Sequence, residues 1–374
     1  MVEVREFRAG VRDWIDEVGD SLVPAIEDQS VGAQLNHQRR VQRLLFDAGW
    51  MRWGWPLRLG GLGGSPVLRA VLGEELTSRA LVHTTSWSMH EVLGPAVAQF
   101  GQPHVVEEIF PQLLRGEEFW CQGFSEPDAG SDLGSLRTTA RPHRDGWLLN
   151  GEKLWTSWAH HATRCVVLAR TGDPGSRGIS AFLVDMDTPG ITASPLETMA
   201  GVDEFCSTAF VDVYVPADHL LGELDAGWRV AQFILSCERG PIFWQRGAWL
   251  AHHLRELLDW ADDNPQAATV LGQAYQSWWA FRARSKATQE RIATGDLPGP
   301  EASVDKILIA LADQAVFDAA RELLPGVIET GDSPRGRAWR REWAYSRAAT
   351  IYGGTSEIQK DIVASRLLGL PGSA

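Results

Sequence analysis

Ala209-Phe-Val-Asp-Val-Tyr-Val215, followed beyond Pro216 by Trp228, Ala231, Leu235, Glu238 and Ile242, holds the change of rhythm that decides the fold. In the first stretch Ala209, Val211, Val213 and Val215 alternate with Phe210, Asp212 and Tyr214, the period of two of a strand. The second set recurs every three or four residues, which lays one stripe along a helix. Short apolar runs of the first kind fill the sequence upstream: Trp147–Leu149, Cys165–Arg170 and Ile179–Val184, each set off by Gly, Asp or Pro. Helical spacing governs what lies beyond on both sides. Toward the N-terminus Phe7, Val11, Trp14, Val18 and Leu22 form one run that Pro24 ends, and Val41, Leu44, Leu45 and Ala48 form another that Gly49 caps. Further helices are expected near Val67–Leu76 and His104–Leu114, with a candidate around Ser86–Leu93. Toward the C-terminus long helices are expected near 226–262, 265–295, 301–324 and 337–368, with Gly295-Asp-Leu-Pro-Gly-Pro300 as a break. The pattern predicts an α+β protein in three blocks: helices over 1–118, a compact β domain over 119–218 and helices over 219–374.

Composition narrows the function. The 374 residues suffice for several domains, and no apolar run approaches the ~20 residues of a membrane-spanning helix. The charged N-terminus does not read as a signal peptide. A net charge of −13 argues against a nucleic-acid partner. Four scattered cysteines, Cys121, Cys165, Cys206 and Cys237, include no CxxC pair, which points to a reducing cytoplasm and to no structural metal. The 17 tryptophans read as filler for cores and interfaces, His90 as a packed helix residue and His160-His161 as a loop pair without metal-like spacing.

Three segments carry chemistry. The first is Gln122-Gly-Phe-Ser-Glu-Pro-Asp-Ala-Gly-Ser-Asp132 with Asn150-Gly-Glu-Lys-Leu-Trp-Thr-Ser157. The second is Ser236-Cys-Glu-Arg239, and the third Ile351-Tyr-Gly-Gly-Thr-Ser-Glu-Ile-Gln359. Phe124 and Ser125 offer amides and a hydroxyl to a flat ligand, Trp155 a wall, and Gly130 a backbone open to close approach. Glu238 stands on an otherwise apolar helical stripe, where an unpaired carboxylate is costly and its pKa rises. A salt bridge to Arg239 is poor competition, since adjacent helical residues diverge.

In order and spacing these segments resemble the acyl-CoA dehydrogenases, and the resemblance extends over nearly the whole chain, including Trp55-Pro56, Gly60-Gly61 and Leu113-Leu-Arg-Gly116. It implies a helical N-terminal domain, a central β-barrel or sandwich and a C-terminal four-helix bundle with FAD between the blocks. It further implies that Gln122, Phe124, Ser125, Gly130, Ser131, Trp155, Ser157, Gly353 and Thr355 hold the cofactor, and that Ser131 and Arg239 border the substrate. Most of the family carries its catalytic glutamate at the position of Gly353; a minority, similar to isovaleryl- and long-chain enzymes, carries it at that of Glu238. The resemblance thus implies that Glu238 removes the α-proton of an acyl-CoA, or acyl-carrier, thioester while the β-hydrogen leaves as hydride to the flavin, with an electron-transfer flavoprotein as acceptor.

Two family elements are missing. No Arg-x-x-Phe-Gly lies between Leu257 and Gln276, and Arg321-Glu-Leu-Leu-Pro-Gly326 replaces a Gln-x-x-Gly-Gly. Both serve FAD across a subunit interface in the family. Their loss, with Pro298-Gly-Pro-Glu-Ala-Ser-Val-Asp-Lys306, resembles bacterial members built as mixed tetramers of two chains. A homo-oligomer with rearranged contacts, a non-catalytic partner subunit and a flavin monooxygenase are the other readings, and Glu238 counts against the last two.

Overall fold

The computed structural model describes residues 3–24, 30–261 and 265–371. Five helices come first: α1 (Val4–Val18), α2 (Val31–Asp47), α3 (Val67–Thr77), α4 (Thr84–Phe100) and α5 (Pro103–Leu114). Phe7, Val11 and Ile15, four residues apart, bury one face of α1. That helix stops at Gly19, whose φ of 57° breaks it before Pro24, and Leu22 is buried from a short 3₁₀ turn instead. Gly49 ends α2 in the left-handed conformation, as its sequence predicts. α3 is buried on almost every side, so it shows little amphipathic rhythm. His90 is buried in α4 with its ring edge-on to Trp87 at 5.0 Å.

The middle of the chain is one sheet. Its strands are β1 (Trp120–Gly123), β2 (Thr139–His143), β3 (Gly146–Ser157), β4 (Arg164–Arg170), β5 (Ile179–Asp185), β6 (Ile191–Leu196), β7 (Phe205–Pro216) and β8 (Leu220–Leu221). They lie in the order β6-β7-β3-β2-β4-β5-β8, with β1 parallel to β4. Leu149, Val167, Phe182 and Val213 fill its core together with Cys121, Cys165 and Cys206, and all four cysteines are free and buried.

The predicted alternation in β7 needs correction. Val213 and Val215 point inward, but so does Phe210, while Val211 is exposed. Asp212 adopts φ 51° and exchanges hydrogen bonds with the Asn150 side chain where the β3–β7 register shifts. This bulge inserts one residue and flips the faces on either side of it.

Helices then return: α6 (Gly227–Cys237), α7 (Phe243–Ala261), α8 (Pro265–Ala293), α9 (Ala302–Leu323), α10 (Val327–Thr330), α11 (Pro334–Ser346) and α12 (Ser356–Ile362). Leu250, Phe281, Val316, Phe317 and Trp339 form the core of this bundle. Two of the long predicted helices are broken. The run expected near 226–262 is interrupted by a π turn at Glu238–Ile242, because Gly240 leaves helical geometry (φ −101°, ψ −109°) next to Pro241; residue 262 lies outside the described residues. The run expected near 337–368 becomes α11, a 3₁₀ turn at Arg347–Thr350, a glycine turn, α12 and a closing π turn at Val363–Leu367. Among the described residues no helix is long and apolar enough to cross a membrane.

Candidate active site

The N-terminus of α6 lies directly on β5. A Cβ on Gly227 would stand 2.4 Å from the Ser180 backbone, so only glycine allows the approach. From there α6 buries Val230, Ala231, Ile234 and Cys237. The predicted stripe is therefore rotated: Ala231 belongs to it, while Trp228 and Leu235 sit half-buried at its margin. Glu238 follows as the first residue of the π turn.

Three other segments converge on the half-buried Glu238. A Cβ built on Gly353 would lie 3.6 Å from Glu238 Oε2 and 3.4 Å from Lys306 Cε. The Gln122 side chain at the end of β1 hydrogen-bonds the carboxyl. Gly353 has φ 64° and Gly354 φ 89°, a turn that L side chains rarely adopt. The Gly353 N–H has no partner among the described residues, whereas its carbonyl accepts from Gln359 Nε2 at 3.1 Å. Burial pushes the Glu238 carboxyl up to about 7, against the pull of Arg239, Lys306 and the Gln122 hydrogen bond. Such a carboxyl exchanges protons near neutral pH. Glu238 makes no close ion pair with any described residue.

The flavin-type segment is held from beneath by a buried ion pair. Lys153 Nζ meets Glu126 Oε1 at 2.7 Å and donates to the Phe124 carbonyl at 3.1 Å. The Glu126 carboxylate also accepts from the backbone of Arg137 (2.6 Å) and Thr138 (2.9 Å). Burial alone would raise the Glu126 pKa, but Lys153 and these donors outweigh it and hold the carboxyl below its ordinary range. Leu154 N donates to the Ser125 carbonyl, which fastens the turn to β3. One residue on, Trp155 takes φ 62° at a register shift and is 57% exposed, with an edge contact to Phe205.

A flat cofactor fits this surface. The indole wall is uncovered, and the hydroxyls of Ser125, Ser131 and Ser157 have no hydrogen-bond partner among the described residues. A Cβ at Gly130 would meet nothing within 4 Å, so no described residue fills that space. Ser131 lines an open recess with Arg137, Arg170 and Trp228. The structure thus gathers Gln122, Glu238 and Gly353 in one cluster and Phe124, Ser125, Trp155 and Ser157 along neighbouring strand ends. Thr355 is occupied as the N-cap of α12, accepting from Ile358 N at 3.3 Å. Arg239 has a buried Nε without a partner and lies near Arg366, with its pKa lowered by burial.

Sequence reading missed several polar groups. Lys306 and Asp313 interrupt an apolar stripe of α9 with Ala310 and Phe317, the same signal that singles out Glu238. Arg246 of α7 is gripped by Asp313 (3.0 and 2.8 Å) and Glu342 (2.9 Å), and Glu342 also accepts from Trp249 Nε1 and meets His83 Nε2 at 3.0 Å. The Tyr345 and Tyr352 rings lie 5.7 Å apart, tilted by 36°, beside this lattice. Beyond it, between α2, α7 and α11, opens a cavity of about 510 Å³ lined by His37, His83, Trp249, His253 and Trp339 among others. Among the described residues no His, Cys, Asp and Glu cluster has the arrangement of a metal site.

The chain matches the acyl-CoA dehydrogenase family models for the N-terminal domain over residues 2–117, the middle domain over 121–213 and the C-terminal domain over 225–368. It is 35% identical over 390 residues to the acyl-CoA dehydrogenase IpdE1 of Mycobacterium tuberculosis, with 100% of each chain covered. It is 30% identical over 330 residues to the mitochondrial short-chain specific acyl-CoA dehydrogenase of Homo sapiens, covering 84% of this chain and 78% of that one. Among solved structures, the ChsE4-ChsE5 complex from Mycobacterium tuberculosis is similar with a TM-score of 0.84 at 26% identity, over 100% of this chain and 99% of that chain. With three family domains matched in order along it, this chain belongs to the acyl-CoA dehydrogenase family of flavin-dependent oxidoreductases.

Proposed function

We propose that the chain binds FAD and oxidises an acyl-CoA thioester to the trans-2-enoyl-CoA, with Glu238 as the catalytic base. The observation that carries this reading is the Glu238 carboxyl, pushed up to about 7, against a turn whose Gly353 N–H is free. Glu238 takes the α-proton. The Gly353 N–H donates to the thioester oxygen as charge develops there, an interaction worth ~3–4 kcal/mol for a well-placed donor. Trp155 and the Ser125 and Ser157 hydroxyls hold the flavin ring, with Phe124 and Gln122 at its edge; Gly130, Ser131 and Thr355 serve the rest of the cofactor. Bound FAD supplies the acceptor for the β-hydrogen and its electron pair. Arg239 and Ser131 border the substrate. The blocks 1–118, 119–218 and 219–374 are proposed as the domains.

The assembly is proposed to be an oligomer that includes a second chain of the same family, in the cytoplasm, passing electrons to an electron-transfer flavoprotein. Support comes from the missing interface elements and from similarity to the ChsE4-ChsE5 complex. The test is anaerobic addition of acyl-CoAs to the purified protein, alone and with homologous chains, while flavin absorption is followed. Bleaching that Glu238→Gln abolishes with FAD retained supports the proposal. Retained flavin that no thioester bleaches, or bleaching that survives Glu238→Gln, overturns the assignment of the base.

A further inference from the structure

Lys306 is as buried as a core leucine, at 2% exposure, on a helix face that it shares with Ser303, Ile309, Ala310, Asp313 and Phe317. A lone ammonium is costly there, so each of its contacts matters. Its Nζ donates to the carbonyl of Ala349, in the 3₁₀ turn that leads into the glycine turn. The same nitrogen lies 4.7 Å from the ring centroid of Tyr352, and Cε would be 3.4 Å from a Cβ on Gly353. Two chain positions just ahead of the Gly353 N–H, Ala349 and Tyr352, are thus both tied to one side chain.

We propose that Lys306 is the positioning residue of this active site, fixing the Tyr352-Gly353 turn through Ala349 and Tyr352 and setting the ionisation of Glu238 with its charge. The inference rests on Glu238 being the base. Around Lys306 stand Asp313 from its own helix, Glu238 and Arg239 from the α6–α7 junction and Tyr352 from the turn. Around Glu238 stand Arg239, Lys306 and the Gln122 amide, while its neighbour Cys237 also feels Arg69 from α3 and Glu91 from α4. Burial drives Glu238 toward the neutral acid, and Lys306 and Arg239 are the two cations that oppose it. Arg239 lies on the same turn of chain as the base, but it leaves Nε without a partner and shares its surroundings with Arg366. Lys306 instead reaches across from another helix and is anchored at a fixed point. Lys306 in turn is drawn down to about 8 by its burial, against Asp313 and Glu238. It is charged at the pH where the base must be ionised.

The test is an infrared titration of the flavin-loaded protein from about pH 5 to about pH 9, following the carboxylic-acid stretch that Glu238→Gln removes. The charge is removed in two ways. Lys306→Gln keeps a donor for the Ala349 carbonyl, and Lys306→Met removes both. Lys306→Arg keeps the charge, and flavin content is measured for each variant. The expected result is a midpoint raised by about one pH unit in Lys306→Gln and Lys306→Met and restored in Lys306→Arg, on the scale of a close charge partner. The rate of flavin bleaching by an acyl-CoA then falls about fivefold at pH 7 and recovers at about pH 9, because only about a tenth of the base is ionised at the lower pH. A midpoint unmoved in Lys306→Gln with flavin retained overturns the proposal, whether or not Lys306→Met folds. A midpoint that moves while Glu238→Gln still bleaches leaves the Lys306–Glu238 coupling standing and overturns the base instead.

Discussion

Replacing Glu238 by glutamine should abolish flavin reduction and at the same time make the protein more stable above neutral pH. The folded-state pKa stands near 7 against an ordinary 4.5, raised by burial, so folding favours the neutral acid. Below about pH 4 the carboxyl is protonated folded or unfolded, and glutamine offers no advantage. As pH climbs through the unfolded value toward the folded one, the native state pays increasingly to hold the group. Linkage with these two values gives a gap of ~0.8 kcal/mol at pH 5, ~2 at pH 6 and ~3 at pH 8, after which it levels off. Glutamine keeps the shape and a hydrogen bond to Gln122 but carries no charge to desolvate. Thermal melts of wild type and Glu238→Gln at matched flavin occupancy, taken at intervals of pH, read the gap directly. A gap that does not vary with pH, or a variant less stable at pH 8, would falsify the account of a base held ionised against its surroundings. The companion measurement is the pH dependence of kcat/KM, whose acid limb should have its midpoint near 7.

Glu126→Gln leaves the Lys153 ammonium buried without its counter-charge, and denaturation should show a loss of ~3–5 kcal/mol at neutral pH. Because the Glu126 pKa is held down, that loss should begin to shrink as pH falls below the ordinary glutamate value and should vanish only once pH has passed below the lowered folded-state pKa, where the wild-type carboxylate is itself protonated. Trp155→Ala should leave the melting of the flavin-free protein within about 0.5 kcal/mol of wild type, since the indole is largely exposed. Flavin titration of the same variant should show affinity at least about tenfold weaker, from the lost aromatic wall. Arg246→Met strands Asp313 and Glu342 without their shared cation, and urea unfolding should register ~3–5 kcal/mol of destabilisation; an unchanged midpoint would refute that reading of the lattice.

The block architecture was legible because the hydrophobic period changes twice and the changes fall at strands and helices that exist. What escaped were breaks inside otherwise continuous patterns. Nothing in the spacing of Leu235, Glu238 and Ile242 announces that Gly240 and Pro241 together push the helix into a π turn, although each is a known helix disturber. In the same way the Asp212 bulge inverts half of an alternation that reads as uninterrupted. At the site, Glu238 could be found because a charge on an apolar stripe is conspicuous. Lys306 and Asp313 carried that signal too, but their meaning depends on partners from distant parts of the chain. Glu126 and Lys153 looked like ordinary turn and strand residues, since pairing between them is a property of the sheet.

Gln122 on β1, Glu238 after α6, Lys306 on α9 and Gly353 before α12 meet at one point. A chain made from its N-terminus lays down the first of these early and the last almost at the end. Until the final turn arrives, the side of the Glu238 carboxyl that Gly353 faces has nothing packed against it. The surroundings that raise the pKa of Glu238 are complete only when synthesis and docking are both finished, so on the proposed mechanism an unfinished or misdocked chain would lack a working base.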